Sequence, residues 1–191
     1  MTTILIMLPY VAHAALMLIS PTLSVVVGAA LCLAAIGIDL ARGRSLKLLS
    51  AGSAIVFAGL ACYRGLVDPE MSAAAMHLAV DGGVFAIALG SILARFPFTL
   101  QYALEAEPAE TAAMAGFRRA NYVISGAWAL ATALMIAANL TMIYVPGLPI
   151  WAGLAIAFAA RNSALYFTRW YPAYYRLKSA HQQAGAMLAA K

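Results

Sequence analysis

Long apolar stretches separated by short polar links are the feature that most limits how this chain can fold. A helix that crosses a bilayer needs about 20 largely apolar residues. Of the 191 residues, 64% are hydrophobic and only 10% are charged, whereas a soluble domain carries about 25% charged residues. The sequence therefore predicts an all-α, polytopic integral membrane protein with six transmembrane helices. The predicted spans cover about residues 3–19, 21–40, 46–66, 69–96, 121–144 and 149–170.

Lysine and arginine are concentrated in alternate links of the chain. The links after the second and fourth apolar stretches are basic, and so is the C-terminal tail. By the positive-inside rule, this pattern places both termini in the cytoplasm. It predicts a single six-helix transmembrane domain over residues 1–172, with a cytoplasmic loop at 97–120, and a cytoplasmic amphipathic tail over 173–191. Because the basic residues form no stripe or RNA-binding signature, the net charge of +5 does not indicate a nucleic-acid partner.

Capping residues predict where several helices begin. Ser20 followed by Pro21 suits an N-cap and the first helical position. Ser45 is predicted to cap the third helix. Asp68, Pro69 and Glu70 together form a start signal for the fourth helix.

Prolines predict where the fourth and sixth helices end, because proline lacks the amide donor that a helix interior requires. Pro97 is predicted to stop the fourth helix and Pro172 the sixth. Between helices four and five, residues 98–105 can form a short amphipathic helix along the membrane surface. The prediction is therefore an interfacial helix inside the cytoplasmic loop.

Ionisable side chains inside apolar stretches are costly unless they find partners, so they are the first candidates for function. Asp81 lies in the fourth predicted helix, and Arg161, followed by Asn162, lies in the sixth. Counting about 1.5 Å per residue puts Asp81 about 20 Å and Arg161 about 11 to 16 Å from the cytoplasmic edge. An Asp81–Arg161 pair is within reach, with Arg64 as the competing partner. Such a pair either sets helix register or forms a proton- or ion-coupled site.

Two histidines add further hypotheses. His77 and Asp81 are four residues apart and share a helix face, so they form either a proton relay or a self-satisfied polar pair. His13, in the first helix, raises the hypothesis of a haem or pigment held between His13 and His77. The depth count places His13 about 15 Å and His77 about 25 to 28 Å from the cytoplasmic edge, which argues against a shared haem. No resident cofactor and no metal site is predicted.

Small residues recur every four positions on two predicted helices, which predicts close helix packing. The chain has no phosphate-binding loop, dinucleotide fingerprint, zinc-protease motif or nucleophile elbow, so catalysis on a soluble substrate is not favoured. The two stretches of small residues are Gly82, Ala86, Gly90 and Ala94 on the fourth helix, and Ser125, Ala129, Ala133 and Ala137 on the fifth.

The region from the end of the fourth span to the fifth span carries a resemblance. An arginine and a proline end one span, a short amphipathic helix follows, and an Asn-then-Trp pattern enters the next span. In these features the chain resembles the intracellular septation protein A (YciB-like) family of small bacterial inner-membrane proteins, over about residues 94–176. The signature residues are Pro97, Phe98, Gln101, Tyr102, Asn121 and Trp128.

The resemblance implies a non-enzymatic, multi-pass protein of the bacterial cytoplasmic (inner) membrane. Such a protein acts in envelope integrity, septation or lipid homeostasis through contacts with the bilayer, with other envelope or division proteins or with a second copy of itself. The alternative from the residues themselves is a small proton- or ion-coupled transporter using His77, Asp81, Arg161 and Asn162, which predicts a water-accessible cavity that reaches Asp81. The second alternative is a haem- or pigment-binding subunit using His13 and His77.

Overall fold

Helices make up nearly all of the structure, a computed structural model that describes residues 2–145, 147–148 and 150–189, without the side chains of 2–5, 115, 150, 154 and 176–189. The predicted all-α class is confirmed. The helices are α1 (Thr2–Met17), α2 (Pro21–Ala41), α3 (Leu48–Leu66), α4 (Ala73–Leu93), α5 (Phe98–Ala106), α6 (Ala109–Ala112), α7 (Ala115–Tyr144) and α8 (Ile150–Ala189).

Four helices are long and apolar enough to cross a membrane: α2, α3, α4 and the Gly116–Tyr144 part of α7. In α1, the described apolar part, Ile6–Met17, is shorter. Large apolar side chains such as Leu18, Ile55 and Leu130 face outward, as expected where lipid replaces water. The predicted membrane class is thereby supported, with four spans identified by length and composition.

The long helices are packed in a row. In this row α1 packs on α2, α2 on α3, α3 on α4, α4 on α7 and α7 on α8. The short helix α5 packs on the ends of α3, α4 and α7. Although α1 and α8 are the two ends of the row, residues of both helices line the same cavity, which is described below.

Close approach between helices depends on a different face of α4 from the one predicted. A Cβ atom on Gly83 would lie 2.5 Å from a methyl group of Val56 on α3, whereas one on Gly82 would meet nothing within 4 Å. Gly28 is covered equally closely by the ring of Phe57. The predicted seam beginning at Gly82 is therefore displaced by one position, because the small-residue period does not say which face meets the neighbour.

The local cap prediction for α2 is confirmed, whereas the one for α3 is wrong. The Leu23 amide donates to Ser20 Oγ at 3.3 Å, with Pro21 in the first turn. The N-cap of α3 is Lys47, whose side chain makes no capping hydrogen bond. Ser45 binds Glu105 of α5 instead. Its hydroxyl is engaged by a distant part of the chain and is not available to cap.

The start signal predicted for α4 is used as a turn. The Glu70 amide donates to Asp68 Oδ1 at 3.2 Å, which closes a local Asx turn. The helix begins at Ala73, with Ser72 Oγ accepting from the Ala75 amide at 3.2 Å. An aspartate beside proline can serve a turn as well as a cap, and the turn forms here.

The two predicted proline stops behave differently. Before Pro97, α4 ends at Leu93. Arg95 then takes a left-handed conformation with φ 60°, and the Phe96 amide donates to the Ser91 carbonyl at 3.0 Å, as in a Schellman motif. The predicted short helix follows as α5, and its place at a membrane surface stays a prediction.

Pro172 does not end its helix, so the predicted helix end there is wrong, while the end of the sixth span near residue 170 stays a prediction. α8 continues through Pro172 to Ala189. Two aromatic pairs at spacing i, i+4 span the proline: Trp170 stacks on Tyr174 at 5.0 Å, and Tyr171 lies 6.2 Å from Tyr175. Aromatic contacts on one helix face stabilise the turn in which the proline removes a hydrogen bond.

Candidate functional site

A cavity of about 990 Å³ lies among α1, α4, α5, α7 and α8. Its walls are mainly apolar and aromatic, and they include Val84, Trp128 and Leu165. At the α5 end the lining reaches exposed residues, among them Ala106 and Met114. The cavity thus runs from the surface near α5 into the row of helices, with the size and lining of a ligand site.

Asp81 and Arg161, on α4 and α8, line the same cavity. Asp81 is 8% exposed, and Asn139 on α7 donates from Nδ2 to its Oδ2 at 2.9 Å. Arg161 makes no hydrogen bond and no ion pair within 4.0 Å among the described residues. The predicted approach of Asp81 and Arg161 is found, but the direct ion pair between them is not.

The competing pair with Arg64 does not form either. Arg64 donates to Thr22 Oγ1 at 2.8 Å and to the Met71 carbonyl. Arg64 therefore joins the ends of α2 and α3 to the segment before α4, away from Asp81.

Within the described part of the chain, Arg161 is the one cation that interacts electrostatically with several polar side chains of α1 and α4. Its charge interacts electrostatically with Asp81, with His77 and with His13. We call these four residues, together with Asn139, the polar cluster. The predicted His77–Asp81–Arg161 group is thus brought together as a neighbourhood, although no hydrogen bond joins His77 to Asp81 among the described contacts.

The two histidines contact each other, contrary to the predicted difference in depth. Their ring centroids are 5.0 Å apart in an edge-to-face arrangement, and the Phe57 ring lies 5.3 Å from that of His13. Counted from the opposite end of the bundle, where α1 ends at Met17 and α4 begins at Ala73, each histidine is one turn in. The predicted difference in depth between His13 and His77 was wrong. It was counted from the α5 end of the bundle, where the ends of α1 and α4 do not lie level with each other.

His13 is a buried polar group without hydrogen bonds. It is 3% exposed, and neither ring nitrogen has a partner in the described structure, with only a weaker polar interaction with the Ser24 backbone. Such orphaned groups are uncommon and need an explanation beyond packing.

The histidine pair does not fit a haem. Two axial histidines would hold the iron and the tetrapyrrole plane between their rings. Here the two imidazole rings meet edge to face with their centroids 5.0 Å apart, and the Phe57 ring also contacts His13. The geometry therefore offers no slot for a macrocycle between them.

Asn162 does not join the polar cluster. It is exposed, and its Nδ2 donates to the Phe158 carbonyl one turn back at 2.8 Å. One position along a helix turns a side chain by about 100°, so Arg161 and Asn162 face different surroundings. The prediction that Asn162 belongs to the site is wrong.

Glu105 of α5 lies at the centre of a second polar group. Lys47 Nζ donates to Glu105 Oε1 at 2.5 Å, and the Ser45 amide and hydroxyl donate to the same oxygen at 3.1 and 2.8 Å. Lys47 is only 1% exposed. Desolvation alone would raise the pKa of Glu105, but the hydrogen bonds from Lys47 and Ser45 outweigh it and lower the pKa.

Two signature residues, Gln101 and Tyr102, complete this group. Gln101 Oε1 accepts from the Leu48 amide at 2.7 Å and so caps α3 in place of a local N-cap. The Tyr102 hydroxyl lies 3.4 Å from Ser50 Oγ, and burial raises the pKa of Tyr102 to about 12. We call Ser45, Lys47, Gln101, Tyr102 and Glu105 the α5 latch.

The remaining signature residues are also structural contacts. Pro97 and Phe98 are buried, and the Phe98 amide donates to Ser91 Oγ at 3.0 Å. Asn121 Nδ2 donates to the Phe117 carbonyl at 3.0 Å, and Trp128 Nε1 donates to Thr168 Oγ1 at 2.9 Å. Phe98 thus holds α5 against α4, and Trp128 holds α8 against α7.

Two residues of importance were missed from the sequence. Asn139 is the hydrogen-bond partner of Asp81. The signal in the sequence was an amide side chain deep in an apolar stretch, where it needs a buried partner. Lys47 was counted only as a topogenic charge, because its partner Glu105 lies 58 residues away.

No protein-family model matches this chain, and neither a curated protein nor a solved structure is significantly similar to it. The resemblance to the septation protein A family therefore stays a prediction. The geometry of the cavity and of its polar cluster is what bears on function.

Proposed function

We propose that this chain is a small proton-coupled carrier of the bacterial inner membrane. One observation carries the proposal: the cavity leads from exposed residues at the α5 end to Asp81 and Arg161. Six spans are proposed, namely α1, α2, α3, α4, α7 and α8, with both termini and α5 on the cytoplasmic side. The place of α1 and α8 on either side of the cavity supports counting them as spans.

The proposed coupling uses charge compensation between Asp81 and Arg161. Without a ligand, the carboxylate and the guanidinium face one cavity with opposite charges. When Asp81 takes up a proton, the charge of Arg161 is left without compensation in a weakly polar site, which is costly. A proton on Asp81 and a ligand on Arg161 therefore favour each other's binding.

In this scheme a proton and a ligand are bound and moved without chemical change, so the proposed role is not enzymatic. The septation or envelope-maintenance role implied by the resemblance stays a prediction. A pull-down from native membranes that recovers the chain alone, as a monomer, counts against it.

Water access to the cavity can be measured with a cysteine at Val84. Val84 lines the cavity on α4, whereas Ala88, one turn further, is 1% exposed and does not line it. In a background with Cys32 and Cys62 replaced by alanine, we expect Val84→Cys to react with a charged, impermeant thiol reagent added to either side of oriented proteoliposomes. Ala88→Cys is the control and is expected to stay unmodified.

The side from which Val84→Cys reacts decides between three outcomes. Reaction from both sides supports a carrier, which must expose its site to each side in turn. Reaction from one side only contradicts transport and leaves a binding protein. No reaction above the Ala88→Cys level removes the basis of the proposal.

Proton coupling is tested in the same assay. The rate of Val84→Cys modification depends on pH because the thiol itself titrates. If Asp81 is the coupling group, the rate shows a second pH dependence in addition to that of the thiol. Asp81→Asn is expected to remove that excess dependence. Asp39→Asn is the matched control, because Asp39 is also buried but pairs with Arg44 at 3.5 Å outside the cavity. Equal behaviour of the two variants would exclude Asp81 as the coupling group.

A further inference from the structure

We propose that the ligand of the cavity is an amphipathic organic monoanion, with its anionic head on Arg161 and its apolar body along the cavity towards α5. This inference rests on the proposed function, because it names the class of molecule that such a carrier would move. Three observations carry it: the free donors of Arg161, the charge balance of the cavity end and the polar groups of its wall.

The first observation is the state of the Arg161 guanidinium. Its five N–H donors are arranged to bind a carboxylate or phosphate with two parallel hydrogen bonds. Within the described structure these donors have no partner, and the side chain is half-buried and lines the cavity. By contrast, Arg64 is occupied by Thr22 and Met71. Arg161 is therefore the cation that is arranged to receive a ligand.

The second observation is the number of charged side chains that line the cavity at its inner end, which is the end away from α5. Asp81 and Arg161 are the charged residues lining it there, whereas Glu107 lines the end near α5. With a proton on Asp81, Arg161 supplies one positive charge, which one negative charge balances. A dianion would leave a net negative charge among apolar walls, at a large desolvation cost. The site therefore selects a monoanion.

The third observation is that four polar side chains of the wall, Asn121, Trp128, Thr132 and Thr168, each donate a hydrogen bond within the protein. The hydroxyls of Thr132 and Thr168 donate to backbone carbonyls of their own helices at 2.7 to 3.0 Å. Trp128 Nε1 donates to Thr168, and the Asn121 amide group donates to the Phe117 carbonyl.

A sugar-like or peptide-like body would bury several hydroxyl or amide groups against a mainly apolar wall that offers them few partners, which is unfavourable. An apolar body loses nothing against the same surface. The wall therefore selects an apolar body, although it contains several polar residue types.

Trp128 provides a reporter inside the cavity. The chain has three tryptophans, and the other two, Trp151 and Trp170, are exposed and do not line the cavity. A Trp151→Phe, Trp170→Phe protein would then fluoresce from Trp128 alone. The probes are 9,10-dibromostearate, its uncharged methyl ester, a dibrominated phosphatidylglycerol and inorganic phosphate, because bromine quenches tryptophan only at short range.

We expect dibromostearate to quench Trp128 saturably, and the methyl ester to quench it with at least ~10-fold lower affinity. Arg161→Gln is expected to weaken binding of the anion by about 10- to 100-fold and to leave the ester unchanged. Arg64→Gln, which removes an arginine outside the cavity, is the control and is expected to bind both probes like the parent protein.

The four probes separate the sources of the anion. Quenching that depends on Arg161 with the phospholipid but not the fatty acid supports an anionic lipid as the ligand, and the reverse supports a free acid. Equal binding of acid and ester, or competition by inorganic phosphate alone, would overturn the inference. Two-sided labelling of Val84→Cys would then still support the carrier, so the two failures are distinguishable.

Discussion

The α5 latch and the polar cluster each contain a buried ionisable side chain, but they differ in how far their hydrogen bonds are satisfied. In the α5 latch, one carboxylate oxygen of Glu105 accepts from Lys47 and Ser45, and Gln101 completes the cap of α3. In the polar cluster, among the described residues, neither ring nitrogen of His13 has a hydrogen-bond partner and Arg161 makes no hydrogen bond or ion pair.

The difference separates a structural role from a functional one. A fully hydrogen-bonded network stabilises one arrangement of the chain. A buried group without partners costs free energy and is maintained only when it serves something besides folding. The resemblance directed attention to the α5 region, but His13 and Arg161 lie outside it. Asp39 Oδ1 also has no hydrogen bond among the described residues, but it keeps an ion pair with Arg44.

Removing a carboxylate from the α5 latch gives the largest expected loss of stability. Glu105→Ala leaves the buried Lys47 ammonium without its ion pair. Because Glu105 itself is a quarter exposed, we expect a loss of about 2 to 3 kcal/mol, below the full cost of breaking a buried pair. Unfolding by denaturing detergent in mixed micelles measures it, with exposed Glu110→Ala as the control.

The contribution of the Glu105 charge has a defined pH dependence. Its folded pKa is depressed, so the stabilisation is present above the unfolded value of about 4.3 and is lost as pH falls through the folded pKa. The stability difference between the parent protein and Glu105→Gln should therefore shrink on acidification below about pH 4. A difference that stays constant would contradict the ion pair.

In the polar cluster the opposite sign is expected. His13→Leu replaces an imidazole that has no hydrogen bonds by an apolar side chain of similar size, so we expect a gain of about 1 to 2 kcal/mol. Val11→Leu on the same helix, at an exposed position, is expected to change little. A loss of stability for His13→Leu would show that His13 has a structural role, and it would remove the contrast between the two regions.

Substitutions of two neighbouring glycines on α4 are expected to have the smallest effect on stability. They test which face of α4, next to Asp81, packs against α3. Gly83→Ala forces Val56 to move, so we expect a loss of about 1 kcal/mol. Gly82→Ala adds a methyl group in open space, and we expect a gain of a few tenths up to about 1 kcal/mol from helix propensity. Thermal unfolding followed by tryptophan fluorescence compares the pair, and equal effects would place the close contact elsewhere.

The features predictable from the sequence were those set by neighbouring residues. Apolar length determines the helical membrane class, and the Ser20 cap depends on residues three positions apart. The start of α4 was not predictable in this way, because Asp68 suits both a cap and a turn. Pro172 was misjudged because the aromatic pairs on either side of it stabilise the helix from outside the backbone.

For the candidate site, the sequence predicted which charged residues belong to it, but it did not predict which side chains they contact. Buried charges pointed to Asp81 and Arg161, since their cost in an apolar helix does not depend on the fold. Their partners could not be predicted, because Asn139 is 58 residues from Asp81 and helix offsets decide which groups meet. The histidine contact was missed for the same reason.

The distance in sequence between Asp81 and its partner has a consequence for biogenesis. Translation delivers α4 before α7, so Asp81 enters the membrane while Asn139 has not yet been made. During that interval α4 must be retained by its own mean hydropathy of 1.7 and by its contact with α3. The close fit of Gly83 against Val56 would thus keep a carboxylate-bearing helix in the bilayer until the second half of the protein arrives.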